Sequence, residues 1–401
     1  MKTTNTSTRY ALIIPDGAAD EPLEQLGGCT PLEVANTPNL DWLAEHGQVG
    51  LVQTIPPGFE PGSDVASLSL LGYDPKRYYT GRAPLEAASM GVPLNPEDVA
   101  FRCNLVSSDG ERMLDYSADE VSTPEAHELM TFINERLGSR QVQFYAGVSY
   151  RNLMVWRGGS HEQKLTPPHN ILSQPLEPHL PEGEGEVMLR RLIWDSLELL
   201  DQHPVNQRRR DQGLAPANMI WFWGQGRSLT LPSFRERHGV QGAVVAAVDL
   251  MRGICKCAGL DTPTIPGATG NLETDFAAKG RASVALLADH DFVCVHVEAP
   301  DEAAHHGLAD RKVWAIEQVD DHVVGPILKA LREFDRFSIM AGPDHYTPVS
   351  LRTHADKPVP FLIYHSDGDV DRVEAFHERA AQEGGRFVEE GYRLIESLFR
   401  R

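Results

Sequence analysis

Three short apolar runs in this sequence each lead into residues of the kind that bind metal ions. The runs cover residues 10–14, 292–297 and 337–341. The residues that follow them are Asp16, Asp301, His305, Asp344 and His345, with His354 a short way further on. Such runs are typical of buried strands, and in open α/β sheets ligands bind beyond the carboxyl ends of the strands. The three strand ends can therefore converge on one site, where three Asp and three His side chains are enough for two metal ions.

The α/β alternation of the chain is interrupted in its middle. Residues 86–214 contain short strands, many turns and a charged helix, whereas the candidate metal ligands all lie before or after them. We predict an α/β core domain, residues 1–85 and 215–401, in which helices flank a central, mostly parallel sheet. A smaller α+β domain, residues 86–214, is inserted into it. Where the alternation resumes, we assign residues 219–223 to a core strand and residues 243–260 to a helix.

The charge of the chain limits its partners. A formal net charge of −20 argues against binding to nucleic acid or to an anionic membrane surface. A phosphorylated substrate would be repelled by the overall field and must therefore meet locally clustered cations. We expect a small phosphorylated substrate as the partner, and a homo-oligomer is compatible with the composition.

The cellular compartment of the protein is indicated by two features: the sequence lacks an apolar membrane or targeting segment, and its cysteines are few and scattered. No apolar run approaches the ~18 residues of a membrane span, and the first nine residues lack the apolar segment of a signal peptide. The five cysteines are odd in number and scattered, which favours a reduced, cytoplasmic protein. Cys255 and Cys257 lie in a helix-like stretch, and no second pair of cysteines could complete a metal site with them. We therefore interpret them as structural.

Ser63 is the candidate nucleophile. It stands between a Pro- and Gly-rich turn and the start of a helix, where backbone N–H groups and the helix dipole favour phosphate. A serine hydroxyl is a weak nucleophile until a base or a metal lowers its pKa. No histidine lies near Ser63 in the sequence, so metal coordination is the expected activator. The segment alone is equally compatible with a serine that merely caps the helix.

Asp301 and His305 are four residues apart, which places both side chains on one face of a helix. A surface ion pair is the more frequent explanation of that spacing, but the strand directly before it favours metal ligands. Asp344 and His345 are adjacent in the loop after another strand, and His354 lies ten residues beyond Asp344. Carboxylate and imidazole ligands suit Mn²⁺, Zn²⁺ or Mg²⁺.

Seven sequence segments together resemble one enzyme family. They are residues 14–20 (IPDGAAD), 37–40 (TPNL), 61–66 (PGSDVA), 81–87 (GRAPLEA), 266–270 (PGATG), 296–303 (HVEAPDEA) and 342–348 (GPDHYTP). In these segments the chain resembles cofactor-independent phosphoglycerate mutase of the archaeal type, which belongs to the alkaline phosphatase superfamily. The resemblance implies an alkaline phosphatase-like core and metal-dependent interconversion of 3-phosphoglycerate and 2-phosphoglycerate in glycolysis and gluconeogenesis. It also implies a phosphoserine intermediate, without 2,3-bisphosphoglycerate.

The resemblance also implies roles for individual residues. The implied ligands of one metal ion are Asp16, Ser63, Asp344 and His345, and those of the other are Asp301, His305 and His354. Ser63 is the residue expected to be phosphorylated, and Lys279 matches a lysine near the transferred phosphoryl group. The inserted segment corresponds to the substrate-holding domain of the family, where Asp115 is the candidate proton donor to the leaving alkoxide. The candidate substrate-binding residues are Arg82, Arg151, Arg209 and His169.

Two features concern the match to the family, and the second leaves the substrate open. Ala304 stands where we expect glycine in the metal-binding helix, and its methyl group could crowd the site. Residues 77–82 and the length of the chain also resemble bacterial members of the family that are proposed homoserine kinases in threonine biosynthesis. Such a phosphotransferase would need a phosphate donor, although the chain has no Gly-rich nucleotide-binding loop of the P-loop type. A catalytically inactive metal-binding protein would lack a ligand or the nucleophile, and neither is missing.

Overall fold

The computed structural model describes residues 8–371 and 373–399 of the chain. These residues form two compact units. The first unit combines the N-terminal segment up to Tyr79 with the segment from Thr230 onwards, and the second unit is Thr80–Leu229. Both units contain a β-sheet with its own hydrophobic core.

Strands alternate with helices along the first unit, and the strands and helices of both units follow here in chain order. The strands are β1 (Arg9–Pro15), β2 (Gln48–Val52), β3 (Val99–Ser108), β4 (Met113–Asp115), β5 (Val142–Val148), β6 (Arg151–Trp156), β7 (Met219–Arg227), β8 (Gly242–Val245), β9 (Phe292–Val297), β10 (Phe337–Ala341), β11 (Val359–His365) and β12 (Phe387–Val388). The helices are α1 (Pro31–Val34), α2 (Pro38–Glu45), α3 (Ser63–Leu70), α4 (Pro75–Tyr78), α5 (Arg82–Met90), α6 (Thr123–Leu137), α7 (Glu186–Asp201), α8 (Pro204–Asp211), α9 (Phe234–His238), α10 (Asp249–Cys257), α11 (Phe276–Leu286), α12 (Ala299–His305), α13 (Ala309–Val319), α14 (Gly325–Leu331), α15 (Glu378–Glu383) and α16 (Leu394–Leu398). A π-helical turn, Asp320–Val324, joins α13 to α14.

The sheet of the first unit has seven strands in the order β12-β2-β11-β10-β1-β9-β8. Only β11 runs antiparallel to its neighbours, and every other adjacent pair is parallel. The predicted α/β core with a mostly parallel sheet is therefore confirmed. Because β10, β1 and β9 lie side by side and run in the same direction, the loops that follow them meet at one edge of the sheet.

The strands that lead to the site are buried along their whole length. Every residue of β1, β9 and β10 is buried, and apolar side chains dominate all three. This pattern is expected for parallel strands covered on both faces, since helices from the crossover connections pack on each side. The rigid core then fixes the positions of the strand ends and of the polar residues that follow them.

Helix α2 is capped by a tertiary contact rather than by its own N-cap side chain. Thr37 occupies the N-cap and Pro38 the first turn, but the Thr37 side chain makes no capping hydrogen bond. Instead, the buried carboxylate of Asp320 accepts from the backbone N–H groups of Asn39 at 3.1 Å and Leu40 at 2.8 Å. The orphan donors of the first helical turn are thus satisfied by the π-helical turn.

The second unit is built on a five-stranded antiparallel sheet. Its order is β4-β3-β6-β5, with β7 paired to the other edge of β3. Helix α6 packs against β5, and α7 packs against β7. This segment therefore has the mixed helix and antiparallel-sheet character that we predicted for it.

Two assignments near the return to the first unit were wrong. We expected residues 219–223 in a core strand, but β7 pairs antiparallel with β3 in the second unit, from Met219 opposite Val106 to Arg227 opposite Val99. An apolar run does not reveal which strand it pairs with. The first residues of the predicted helix 243–260 instead belong to the edge strand β8. The prediction failed there because a short apolar run is ambiguous between helix and strand. Helix α10 follows β8 and carries the free cysteines Cys255 and Cys257.

The helices of residues 8–371 and 373–399 were also assessed for membrane spans. None of them combines the length and the apolar character needed to cross a membrane.

Candidate metal centre and nucleophile

A buried group of three ligand residues lies at the carboxyl ends of β1 and β10. Asp16 directly follows β1, and Asp344 and His345 lie in the loop after β10. The His345 Nε2 atom lies 3.4 Å from Asp16 Oδ1 and 3.4 Å from Asp344 Oδ2. Parallel pairing of β1 with β10 brings together residues that are more than 300 positions apart in the chain.

The chemistry of this group fits a divalent cation. Asp16 Oδ1 and Asp344 Oδ2 are buried and have no hydrogen-bond partner within the described part of the chain. Burial, together with the nearby charges of Asp344 and Asp301, raises the pKa of Asp16 well above its ordinary value. Buried carboxylate oxygens are costly without a partner, and a bound cation would satisfy both oxygens and relieve the repulsion.

A second group of three ligand residues adjoins the first. Asp301 and His305 lie one turn apart on α12, and His354 joins them from the loop between β10 and β11. The His305 and His354 Nε2 atoms lie 3.1 Å apart, and each faces an Asp301 oxygen, at 3.2 and 3.5 Å. The hydrogen bond with Asp301 outweighs partial burial and raises the pKa of His305 to about 9. Asp301 and His305 thus share one helix face, as predicted.

The three histidines present the same ring nitrogen to the site. Each Nδ1 atom faces an acceptor outside the ligand group, and the contacts are His345 to Thr347 Oγ1 at 3.0 Å, His305 to Arg352 O at 3.0 Å and His354 to Pro61 O at 3.2 Å. An Nδ1–H donated to these acceptors leaves the Nε2 lone pair facing the carboxylates. Such orientation by an outer acceptor is the usual arrangement of metal-binding histidine, so the donor set fits two divalent ions.

Thr347 joins the two groups and was not foreseen from the sequence. Its buried hydroxyl accepts from His345 Nδ1 and donates to Asp301 Oδ1 at 2.6 Å. One side chain therefore orients a ligand of each group. Thr347 lies within the segment 342–348 that we singled out, but a threonine there gave no signal of its own.

Gly17 makes the close approach of these loops possible. Its φ is +59°, and a Cβ atom at this position would lie 2.5 Å from Thr347 Oγ1 and 2.6 Å from Asp301 Oδ1. Its N–H also donates to Asp344 Oδ1 at 3.0 Å. Any larger residue would be strained in this conformation and would displace the ligands.

Ser63 is the first residue of α3, after Gly62 in the N-cap position. Its hydroxyl oxygen lies 3.1 Å from His345 Nε2, so it contacts the buried ligand group rather than capping the helix. Histidine is absent from the neighbouring sequence, and the contact arises because residues 282 positions apart meet in the fold. The helix N-terminus adds backbone dipoles that favour an anion at this position.

Lys279 lies on α11 and is fully buried. Its Nζ donates to Glu298 Oε2 at 2.5 Å and to the carbonyl of His296 at 3.1 Å. Burial would raise the pKa of Glu298, but the Lys279 charge and the hydrogen bond from His296 lower it to about 2. Lys279 therefore has an anionic partner within the first unit, and its predicted contact with a phosphoryl group stays a prediction.

His296 extends this chain of polar contacts to the metal ligands. Its Nδ1 lies 3.1 Å from Glu298 Oε1, and its buried Nε2 lies 3.4 Å from Asp16 Oδ2. The sequence predicts no role for His296 beyond its place in the segment 296–303. Its ring faces one oxygen of Asp16 without a hydrogen bond, while the other oxygen faces His345.

Ala304 lies on α12 but not among the ligands. It is fully buried in a small apolar cluster with Leu23, Ala309 and Val349. The methyl group that we expected to crowd the site fills this cluster instead, since α12 presents Asp301 and His305 on a different face.

The second unit contains a group of arginines of which the sequence analysis named only two. Arg102 is buried, forms an ion pair with Glu86 at 3.1 Å, and lies over the ring of Trp223 at 4.1 Å. Burial lowers the pKa of Arg102, and the nearby positive charges of Arg82 and Arg151 lower it further. Arg82 begins α5, and Arg151 begins β6. Clustered guanidinium groups are suited to binding carboxylate or phosphate.

Two further predicted residues of the insert differ in their environments. Arg209 is buried and donates to Glu125 Oε2 at 2.9 Å and to the carbonyls of Ala118 and Ala215. Its guanidinium group therefore stabilises the second unit, and the substrate contact that the resemblance implied for it stays a prediction. His169 is exposed, with its ring 5.2 Å from that of Trp223.

Asp115 ends β4 and is half-buried. Burial opposes ionisation, but hydrogen bonds from Ser117, both backbone and hydroxyl, and from the Asp119 N–H lower the pKa of Asp115 below its ordinary value. A lowered pKa disfavours both proton donation and proton acceptance near neutral pH, so the role of Asp115 as proton donor stays a prediction.

Comparisons with known proteins agree with the geometry. The family model for 2,3-bisphosphoglycerate-independent phosphoglycerate mutase matches residues 44–206. A relative from Geobacter sulfurreducens, named a probable 2,3-bisphosphoglycerate-independent phosphoglycerate mutase, is 47% identical over 98% of this chain and 100% of its own length. The chain belongs to the 2,3-bisphosphoglycerate-independent phosphoglycerate mutase family. A family member from Methanothrix thermoacetophila is also 47% identical, over 97% of this chain and 99% of its own.

Solved structures place the fold in the same family. The cofactor-independent phosphoglycerate mutase from Thermoplasma acidophilum is 29% identical, with a TM-score of 0.68 and 98% coverage of both chains. A protein of known structure from Pyrococcus horikoshii is 32% identical, with a TM-score of 0.81, and the match covers 98% of this chain and 96% of that one. The family that we identified from sequence motifs is therefore confirmed.

Proposed function

We propose that this protein interconverts 3-phosphoglycerate and 2-phosphoglycerate, with two bound divalent metal ions, through phosphorylated Ser63. The relatives named above support the reaction, and their names favour it over the homoserine kinase-like alternative. The observation that carries the mechanism is the contact of the Ser63 hydroxyl with His345, at the point where both ligand groups adjoin. Mn²⁺, Zn²⁺ and Mg²⁺ are the candidate ions, and no nucleotide takes part.

The ligand groups account for the binding of a phosphate by an acidic protein. Asp16, Asp344, His345 and the Ser63 oxygen would hold one ion, and Asp301, His305 and His354 would hold the other. Bound divalent ions would lower the pKa of the Ser63 hydroxyl and neutralise charge on the phosphoryl oxygens. Two such ions against three carboxylates leave one net positive charge, whereas the chain as a whole carries −20. The site would thus attract the anion that the overall field repels.

The reaction consists of two phosphoryl transfers of opposite direction. In the first, the Ser63 hydroxyl loses its proton and its oxygen attacks the phosphorus of 3-phosphoglycerate, the P–O3 bond breaks, and the O3 alkoxide takes up a proton. Free glycerate then reorients while it remains bound. In the second, the O2 hydroxyl loses a proton and attacks the phosphorus of phospho-Ser63, the bond between phosphorus and Ser63 breaks, and the Ser63 oxygen takes up a proton. Two protons are released and two are taken up, so the cycle needs no other reactant.

We propose that the second unit is the inserted substrate-binding domain. Arg82, Arg102 and Arg151 would hold the carboxylate of glycerate, because several guanidinium groups can bind it during reorientation. Asp115 remains the candidate proton donor to the O3 alkoxide, a role that would require its pKa, lowered here by hydrogen bonds, to rise when the substrate binds. Arg209 is left out, because its donors are already bonded within the unit.

The test is an isomerase assay with 3-phosphoglycerate and MnCl₂, without nucleotide or 2,3-bisphosphoglycerate. We expect wild type to form 2-phosphoglycerate and Ser63→Ala to lose at least about 10³-fold in rate, as expected when a nucleophile is removed. Ser67→Ala is the matched control, because Ser67 lies one turn further along α3 and its buried hydroxyl has no hydrogen-bond partner among the described residues. Mass spectrometry of quenched wild type should detect phosphate on Ser63.

Two results would overturn the proposal. Equal activity of wild type and Ser63→Ala would exclude the phosphoserine route. No isomerisation by metal-loaded wild type would exclude the mutase, and homoserine with a phosphate donor would then be the substrates to assay.

A further inference from the structure

A fully buried lysine lies behind the metal ligands. Lys312 on α13 has no exposed side-chain surface, and its Nζ donates to Asp20 Oδ2 at 2.8 Å, to Thr347 O at 2.8 Å and to Ala19 O at 3.1 Å. An ammonium group has three N–H donors, so all three are used. None of the three acceptors belongs to a metal ligand.

The acceptors belong to the two loops that carry the first ligand group. Ala19 and Asp20 end the turn that follows Asp16, and Thr347 lies two residues after His345. The same loops are joined directly, since the Thr347 N–H donates to the Ala19 carbonyl at 3.2 Å. Lys312 therefore fixes the separation of two loops that come from distant parts of the chain.

The second ligand group is tied to the same point. The Val349 N–H donates to Asp20 Oδ2 at 3.1 Å, which holds the loop that continues to His354. The Thr347 side chain contacts both His345 and Asp301. Lys312 itself lies on the helix after α12, which carries Asp301 and His305. The Lys312 ammonium group thus contacts the loops after β1 and β10 directly, and through Thr347 it is linked to Asp301 on α12.

Stability alone does not account for a buried ion pair at this place. Taking Lys312 and Asp20 out of water is costly, and a pair of apolar residues would often hold the fold as well. What an apolar pair could not supply is a simultaneous bond to two backbone carbonyls and a carboxylate. The structure therefore favours a role in geometry.

We propose that Lys312 is a positioning residue for metal binding, which sets the loops after β1 and β10 at the separation that both ions require. This inference rests on the proposed metal-dependent function and adds to it a residue that touches neither metal ligand side chains nor substrate. Outer groups that orient ligands typically change metal affinity 10–100-fold when they are removed.

The experiment is calorimetric titration of metal-stripped protein with MnCl₂, combined with thermal unfolding. We expect Lys312→Met to weaken Mn²⁺ binding about 10–100-fold. It should also lower Tm by roughly 6–20 °C, because Asp20 is left buried without a counter-charge. The double variant Lys312→Met with Asp20→Asn removes that unpaired charge and should recover much of the Tm. Its Mn²⁺ affinity should nevertheless stay weak, since the bonds to both carbonyls are still missing.

A matched control separates positioning from general destabilisation. Asp320→Ala removes another buried carboxylate of the first unit, one that caps α2 and contacts neither ligand-bearing loop. It should lower Tm and leave Mn²⁺ affinity within about twofold of wild type, well below the 10–100-fold change expected for a group that orients ligands.

Several results would overturn the inference. Recovery of both Tm and Mn²⁺ affinity in the double variant would reduce Lys312 to a stabilising residue, and so would equal weakening by Asp320→Ala. If wild type binds no Mn²⁺, the proposed function fails as well. If wild type binds Mn²⁺ and the Lys312 variants bind it equally well, only the positioning role fails.

Discussion

Glu378 gives the most quantitative prediction for this protein. It is the first residue of α15, is buried, and accepts from Thr30 Oγ1 at 2.6 Å and from the Asp20 N–H at 3.0 Å. Burial raises the pKa of Glu378 to about 7, although both hydrogen bonds and the charge of Lys312 oppose the shift. The carboxyl group therefore prefers to be protonated in the folded state.

The energy follows from the difference in pKa between the folded and unfolded states. The pKa of Glu378 rises from about 4.5 in the unfolded state to about 7 in the folded state. This difference of about 2.5 pKa units corresponds to about 3 kcal/mol at 1.36 kcal/mol per unit. Because the folded state binds the proton more tightly, this contribution is fully present below about pH 4.5. It is lost as the pH rises through about 7, where the folded protein must bury a charged carboxylate.

Glu378→Gln should remove this pH dependence. The amide resembles the protonated acid and can accept from the Asp20 N–H at every pH. We expect the variant to match wild type near pH 4 and to be more stable by up to about 3 kcal/mol at pH 8.5, or roughly 6–12 °C in Tm.

The assay is urea unfolding of both proteins from pH 4 to pH 8.5 in EDTA, so that metal binding does not contribute to stability. Glu383→Gln, an exposed position on the same helix, is the control and should leave the profile unchanged. Nearby Lys312, Asp20 and Tyr346 are common to all three proteins, so their charges cancel in the comparison. A stability difference that does not grow between pH 4.5 and pH 8 would refute the reasoning.

Two further substitutions test the site and the second unit. Gly17→Ala should weaken Mn²⁺ binding more than 10-fold in calorimetric titration, because its Cβ would lie 2.5 Å from Thr347 Oγ1. The control is Gly27→Ala, at a position with a similar positive φ and open space around it. This variant should lower the free energy of unfolding by only about 1 kcal/mol and still bind the ions. Arg209→Met should lower the free energy of unfolding by about 1–3 kcal/mol, since it leaves the Ala118 and Ala215 carbonyls without their donor. The variant should leave the KM for 3-phosphoglycerate unchanged under conditions in which the protein is folded. The control is Arg208→Met, since Arg208 is exposed. A raised KM at unchanged stability would show that Arg209 belongs to the substrate site.

The strands and their ligands could be predicted because they depend on local pattern. The apolar runs of β1, β9 and β10 are long enough to be recognised, and Asp and His residues follow them directly. Parallel strand ends meet at one edge, so the convergence of both ligand groups follows from the fold class. The motifs also indicated the family, and with it the serine that contacts the site.

The supporting residues could not be predicted in this way. Thr347, Lys312 and His296 belong to residue types that more often lie at the surface than in a core, and nothing in their local sequence sets them apart. Their roles arise from hydrogen bonds across large separations, such as Lys312 to Asp20 across 292 positions. The same holds for Arg102, whose ion pair and aromatic contact depend on how β3, α5 and β7 pack.

For Arg209 and Asp115, the sequence named the residues but did not reveal their surroundings. The resemblance implied substrate-site roles for both residues, whereas the fold bonds Arg209 internally and lowers the pKa of Asp115. The sequence by itself determined the α/β core and the family, because apolar periodicity and motifs carry that information, and it indicated the candidate ligands and the candidate nucleophile. Only the tertiary structure decided which polar groups are buried, which ring nitrogens of the histidines face the candidate site and which charges face one another, because burial and hydrogen bonding are properties of the assembled loops.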